Sequence, residues 1–557
     1  MICELRKHVK EHKSLTPIDP ELINKNDELV KSLTILHEKV NTLGEVIKAK
    51  ARLCIRGDMQ NRSPNDPYLM APTAAHTTTM LMIAIMANLD MTVETFDVST
   101  AYLHADYVKG KKLYMEVDKE VASLLHEADP DLDVKKDNDG KAYFNVQRAV
   151  YGSIEGAHLW YVELTKTLTN AGYIQNDYDY CCWYKYDTES NEFIYFILFV
   201  DDILVGSTKQ RMIDALYDVL VNKYGQITRS KGDVQEFLSM RIEFTRKQGV
   251  PGFAIVSMPK HFMDIDKWDF DHSVKPDTPW KSNHTSTLFS TNTKDDEILL
   301  DKHMKKLFVS RVAKMAYVLE RVCCGGNIVN CFLRTRLNEP TVADWNKMIH
   351  LAQYLVHNQS ELYIRVGITG NAKHSIPLTL YTDASHKTTS KQRSIGGAIM
   401  TLGYGPIWHR SKIIKVPCDS TTESELLQLQ ETAKHVLWAK RLLNSMGLNV
   451  NTKIFEDNTA TISLIESRGQ SHANKTKHVD SKVWWMDYYL EKQEFELEYL
   501  GTEFMLADHY TKVLESNKKY NAFLKYISGK AEKGISHVDD ILSLRDELSG
   551  NTSDKIN

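Results

Sequence analysis

The chain has 557 residues, of which 42% are hydrophobic and 25% charged, with a formal net charge of −4. That balance belongs to globular protein and excludes a global basic field as the means of holding nucleic acid, so any such binding must come from local patches. No apolar run reaches the ~18 residues that a membrane-spanning helix needs, and MICELRKHVKEHK is too polar for a secretory leader.

Residues 1–45 are charged and weakly periodic and are expected to form an N-terminal extension. In VIKAKARLCIRG (46–57), Lys48, Lys50, Arg52 and Arg56 share a parity, so on a strand they project from one face. Such a face is either a charged, solvated strand edge or a finger that contacts phosphates. Residues 73–90 carry Ala, Met, Ile and Leu at helical spacing and predict a buried helix. TVETFDVSTAYL (92–103) predicts a strand running into a helix-like start, with Asp97 between apolar neighbours. KLYMEV (112–117) predicts another strand, and the Asp-rich stretch 126–141 an exposed loop. A strand in FNVQRAV, the pair Tyr151-Gly152 and a helix bearing Trp160 and Tyr161 follow.

Phe193 to Ser207, FIYFILFVDDILVGS, predicts two buried strands with Asp201 and Asp202 at the turn between them. Charge beside an apolar hairpin is costly unless compensated. A divalent cation is the simplest compensation, because Mg²⁺ favours carboxylate oxygen and leaves room for substrate phosphates. The bland alternative is an ordinary Asp-Asp turn. Residues 209–224 predict an amphipathic helix, 235–258 two more strands, 267–299 a polar linker, and 300–359 a mainly helical region. Strands and helices return over 378–512, and the tail from about 530 is polar and expected to fray. None of the eight cysteines forms a CxxC pair, which argues against a zinc ribbon; Cys181-Cys182 and Cys323-Cys324 read as small buried hydrophobes of an intracellular protein.

TFDVSTAYLHADY, RAVYGSIEGAHLWY and LFVDDILVGS resemble, in order and spacing, the reverse transcriptase motifs of copia-type LTR retrotransposons. KARLCIRGDMQ resembles the finger motif of that family, and LYTDAS, STTESELLQL, FEDNTATISL and LADHYTK resemble its attached RNase H domain. The resemblance covers roughly residues 45–515. It implies an α+β right-hand polymerase with fingers, palm and thumb, a helical connection, and an α/β RNase H-like domain. The expected divisions are 1–45 (extension), 46–265 (fingers and palm), 266–375 (thumb and connection), 376–529 (RNase H-like) and 530–557 (tail).

By that resemblance Asp97, Asp201 and Asp202 are metal-binding carboxylates of the polymerase, with Asp202 the less direct ligand. Tyr102 resembles a steric gate under the sugar, Lys50 and Arg52 resemble cations that grip the incoming triphosphate, and Tyr151 and Gly152 shape the nucleotide site. Asp383, Glu425, Asp457 and Asp508 are the implied nuclease acids and metal ligands, with Glu425 preferred to Glu423 by the helix pattern that follows it. The implied cofactors are two Mg²⁺ per site, with Mn²⁺ as the alternative. The implied partners are an RNA template, a DNA primer, RNA–DNA hybrid, dNTPs and other products of the same polyprotein, with no membrane. The implied location is cytoplasmic, within a virus-like particle, with a nuclear phase as a second setting.

One segment departs from the family. Where YGLKQ is usual, this chain reads Tyr151-Gly152-Ser153-Ile154-Glu155. An acid in place of an amide and a lost cation are unfavourable near phosphates. The rival expectation is therefore a non-catalytic, nucleic-acid-binding relic. The loop 468–480, with Arg468, Lys475, Lys477 and His478, reads as a solvated loop or a hybrid-backbone contact, and Trp484 and Trp485 read as core.

Overall fold

The computed structural model describes all residues except 41–45, 64, 248–249, 282–284, 291–293, 371–374, 390, 469–479, 515 and 532–557. Lys475, Lys477 and His478 of the basic loop, and nearly all of the polar tail, lie outside the described residues.

The first sheet runs in the order Leu15–Pro17, Ala142–Val146, Leu113–Val117, Glu28–Val40, Val46–Ile55. Glu28–Val40 pairs antiparallel with Val46–Ile55 and parallel with Leu113–Val117. The described residues 1–40 are thus no separate extension: Leu5, Val9, Leu15 and Val30 share one core with Leu113, Met115 and Phe144. The long hairpin reaches into solvent and leaves Leu33, Ile35 and Leu36 exposed, so apolar residues fall on both faces and the alternation that marks a half-buried strand is missing.

The second, palm sheet is antiparallel throughout, in the order Ile227–Lys231, Thr92–Val98, Asp202–Ser207, Glu192–Phe199, Cys182–Asp187, Ile174–Gln175. Behind it lies the helix His76–Asn88, apolar all round and buried along its length, which is how a core helix reads. The helix Gln210–Tyr224 is amphipathic and buries Met212, Ile213, Leu216 and Leu220. A third sheet joins Val234–Phe237, Met240–Lys247 and Val250–Ser257 to Ile364–Ile368, beyond the helices Lys302–Leu319, Asn327–Thr335 and Val342–His357.

The last sheet has the order Pro406–Ile413, Ile395–Thr401, Ile376–Ser385, Val450–Glu456, Glu496–Tyr499. Its first three strands are antiparallel, and the next two run parallel to Ile376–Ser385, with the long helix Thr421–Ser445 as the crossover. This 3-2-1-4-5 arrangement is the RNase H-like α/β topology. The palm, the connecting helices and this domain share one hydrophobic core. At their junction Trp438 Nε1 donates to Tyr178 O at 3.0 Å, Asn176 Nδ2 to Ser445 Oγ at 2.9 Å, and Tyr184 OH to Ser445 O at 3.1 Å. Of the cysteines Cys3 is exposed, and the other seven are buried free thiols. No helix among the described residues is long and apolar enough to cross a membrane.

Candidate active sites

Two acidic centres emerge. In the palm sheet Asp97, at the end of its strand, stands directly opposite Asp202, and the Val98 N–H donates to Asp201 O at 3.0 Å. Residues that face each other across antiparallel strands bring their side chains to one side of the sheet. The turn is the two residues Val200 and Asp201, and Val200 has φ 58°. A β-branched residue in the left-handed region is strained, as is Thr100 at φ 57° close after Asp97. Strain of this kind persists only where surroundings hold it. Here the buried Trp160 indole does so, donating from Nε1 to Val200 O at 2.7 Å.

A cleft of about 540 Å³ is lined by Asp97, Asp201, Lys50, Arg52, Thr100 and Tyr151, and by Glu4, Lys7, Glu11 and His12 from the N-terminal segment. Asp202 lies outside that lining. Arg56 does not reach the cleft; it pairs with Asp58 at 2.7 Å in solvent. The side chain of Lys48 lies outside the described residues. Burial, and then the neighbouring Asp97, raise Asp201; burial followed by Asp201 and Asp97 pushes Asp202 up to about 6. Burial and Arg52 lower Lys50, against the pull of Asp97. Carboxylates that resist ionisation beside one another, facing phosphate-sized space lined with cations, suit a hard divalent cation.

Tyr102 sits in the short 3₁₀ turn Ala101–His104 and packs edge-on against Tyr151, ring centroids 4.7 Å apart. Arg52 lies over the Tyr151 ring at 5.2 Å. Gly152 has φ +86°, and a Cβ there would stand 2.2 Å from Ile55 O; the Ile55 N–H donates to Tyr151 O at 2.7 Å. The turn is therefore clamped on the finger strand that carries Lys50 and Arg52.

The acid that departs from the family is accounted for. Glu155 is buried, accepts from Lys111 Nζ, and accepts from Gln60 Nε2 at 3.1 Å. Gln60 Oε1 in turn accepts from the Ile154 N–H at 2.9 Å. The carboxylate is paired inside the protein and does not line the cleft, so the expected repulsion of phosphates is not set up.

In the RNase H-like domain Asp383 lies near the end of Ile376–Ser385, Asp457 follows Val450–Glu456, and Asp508 opens a short helix. Oxygens of these three carboxylates lie within 4.8 Å of one another. Glu425, on the inward face of Thr421–Ser445, forms a second trio with Asp457 and Glu456. Glu423 instead accepts from the Asp419 N–H at 2.7 Å, at the helix start. Asn458 caps the next helix by accepting from the Thr461 N–H at 3.0 Å. Sequence reasoning missed Glu456, although it shares its parity with the buried Thr452 and Ile454.

Thr511 Oγ1 donates to Asp383, Thr502 Oγ1 to Asp457 at 2.7 Å, and Lys512 Nζ to Asp508 at 2.7 Å and Asp383 at 3.4 Å. Burial and then Asp383 push Asp508 up to about 7, and raise Glu425 well above the carboxylate range. Burial raises Glu456 in the same way. Glu425 and Glu456 each keep an Oε2 that is buried without a partner. Hard oxygen donors, crowded and unmet, fit divalent cations. Trp485 packs against Tyr489, but Trp484 is 56% exposed and is not core.

Residues 23–258 match the family described as reverse transcriptase (RNA-dependent DNA polymerase). Over 482 residues the chain is 24% identical to the retrovirus-related Pol polyprotein from transposon TNT 1-94 of Nicotiana tabacum, covering 85% of this chain and 34% of that one. Over 489 residues it is 24% identical to the corresponding polyprotein of transposon RE2 of Arabidopsis thaliana, covering 86% and 30%. The chain thus spans about a third of the length of these relatives. Among solved structures, a foamy viral protease-reverse transcriptase in complex with double-stranded DNA aligns at TM-score 0.49 and 10% identity, over 89% of this chain and 68% of that one. Over most of its length the chain is similar to the Pol polyproteins of these transposons, and its residues 23–258 match the reverse transcriptase family.

Proposed function

We propose that this chain is an RNA-directed DNA polymerase that also cleaves the RNA strand of RNA–DNA hybrids. The observation that carries the polymerase half is the pairing of Asp97 with Asp202 beside Asp201, across a cleft from Lys50 and Arg52. Asp97 and Asp201 would hold the divalent cations, with Asp202 in support. When bound, such cations stabilise the attacking and leaving oxygens of an in-line phosphoryl displacement. Lys50 and Arg52 place positive charge where the triphosphate develops negative charge. Tyr151, which lines the cleft and is braced by Arg52 and Tyr102, would wall the sugar site, and Tyr102 behind it would serve as the gate against a 2′-hydroxyl. The strained Val200–Asp201 turn, held by Trp160, keeps the acid at the cleft.

The nuclease half rests on Asp383, Asp457 and Asp508 within 4.8 Å, with Glu425 alongside. These would hold cations against a scissile phosphodiester, while Thr511, Thr502 and Lys512 fix the carboxylate rotamers. Substrates of this reading are RNA template, DNA primer, dNTPs and hybrid, in a cytoplasmic particle. Internal pairing of Glu155 speaks against the relic reading, whose remaining sequence support is the cation missing at Ile154.

Primer extension and hybrid cleavage with Mg²⁺ test both halves. Asp201→Asn is expected to abolish extension and spare cleavage, and Asp457→Asn to do the reverse. Unchanged extension in the first, or unchanged cleavage in the second, removes the corresponding assignment.

A further inference from the structure

The nuclease centre holds one acid more than the reading above uses. Glu456 is the last residue of its strand and is wholly buried. Its carboxylate accepts from the Asn458 N–H at 3.1 Å through Oε1, and its Oε2 has no partner. Glu425, also buried, has an unpartnered Oε2 as well. The two orphaned oxygens do not bond to each other. Among the described residues no lysine, arginine or histidine forms an ion pair with either glutamate, and Lys512 gives its bonds to Asp383 and Asp508.

A buried carboxylate oxygen left unmet is costly. Protonation of either oxygen makes a hydroxyl that needs an acceptor in turn, and neither Oε2 has a hydrogen-bond partner. A cation resolves both at once. Glu425, Glu456 and Asp457 each present an oxygen within 4.8 Å of the other two, as do Asp383, Asp457 and Asp508. Hard cations bind carboxylate oxygen at about 2.0–2.6 Å. The charges agree: five carboxylates are balanced by Lys512 and two divalent cations, whereas a single cation leaves two negative charges buried without compensation.

We propose that Glu456 is a ligand of a second divalent cation, held by Glu425, Glu456 and Asp457 beside the one held by Asp383, Asp457 and Asp508. Asp457 is then shared between the two ions. The proposal rests on the nuclease reading and adds to it a ligand from this chain's own strand end.

The test counts metal ions and does not depend on turnover. The full chain carrying Asp97→Asn and Asp201→Asn, which silence the polymerase cleft, is titrated with Mn²⁺ alone, and free Mn²⁺ is followed by electron paramagnetic resonance. Two bound ions are expected. Glu456→Gln, which keeps the shape and sheds a buried charge, is expected to lose one ion or weaken it at least tenfold, with an unfolding midpoint in EDTA no lower than the parent's. Glu456→Cys is expected to bind Cd²⁺ at least tenfold more tightly than the parent, because a thiolate favours the softer metal. A parent that binds fewer than two ions, a Gln variant that binds two as the parent does, or a Cys variant without the Cd²⁺ gain overturns the proposal. Hybrid cleavage by Asp383→Asn separates the two failures. If that variant still cleaves, the nuclease reading falls; if it does not, while Glu456→Gln keeps both ions, only the role of Glu456 falls.

Discussion

Lys111→Met tests how the Tyr151–Glu155 turn tolerates its acid. Glu155 is 1% exposed and is met by two donors, Lys111 Nζ and Gln60 Nε2. Removing the lysine leaves a buried carboxylate with one neutral donor. Breaking a fully buried ion pair from one side costs about 3–5 kcal/mol. The Lys111 side chain keeps 31% of its surface in water and the Gln60 bond survives, so the expected cost is nearer 2–3 kcal/mol. Adding Glu155→Gln removes the charge while leaving an acceptor for Gln60, and should bring stability back to within about 1 kcal/mol of the parent. Urea unfolding of the parent, both single variants and the double variant completes the cycle; with a slope of about 1–3 kcal/mol per molar, the lysine variant moves its midpoint by roughly 1 M. Glu155→Gln alone should leave primer extension unchanged. A Lys111→Met midpoint equal to the parent's, or a double variant no better than Lys111→Met, would refute the buried pair and return Glu155 to the cleft.

Trp160→Phe removes the indole donor on the carbonyl of the strained Val200 and should cost about 1–3 kcal/mol; primer extension is expected to fall well below the parent's while hybrid cleavage changes little. Gly152→Ala forces a Cβ into Ile55 O and places alanine at φ +86°, a conformation costing about 1–2 kcal/mol before any clash; a lowered unfolding midpoint and weaker dNTP use should appear together. A carboxyl whose folded pKa lies above its unfolded value favours folding while protonated and opposes it once ionised. With Asp202 at about 6 and Asp508 at about 7, these two carboxyls take stability from the metal-free chain as pH rises from about 4 to 7, against the buried His8, His76 and His409, whose lowered pKa works the other way. Relative to the parent, Asp202→Asn should gain stability as pH rises from about 4 to 6, and added Mg²⁺ should shrink that gain; thermal unfolding of both chains against pH, in EDTA and in Mg²⁺, is the measurement.

The parts of this protein legible in its sequence are those written in local pattern. The buried helix His76–Asn88, the hairpin that ends in Asp201 and Asp202, and the strand–acid–helix unit at Asp457 each carry their signal within about fifteen residues. What remained hidden is set by partners far along the chain. Glu28–Val40 is a strand because Val46–Ile55 and Leu113–Val117 flank it, and its own exposed leucines blur the alternation. Glu155 reads as a liability until Lys111, 44 residues earlier, is folded against it. Glu456 sits at an inward position of its strand, a cue that the stronger motif acid beside it obscured. Trp484 was misread because two adjacent tryptophans on a helix cannot both face the core.

The bonds from Trp438 to Tyr178 and from Asn176 and Tyr184 to Ser445 join the helix Thr421–Ser445 to the palm through packed side chains. The span between the two acidic centres is then a dimension of the fold, as rigid as the core itself, and not the reach of a tether. A duplex passing from one centre to the other would be gauged by that span. RNA fragments cut during synthesis should therefore cluster at one length measured from the growing DNA end, and loosening the junction should broaden that length before it slows either reaction.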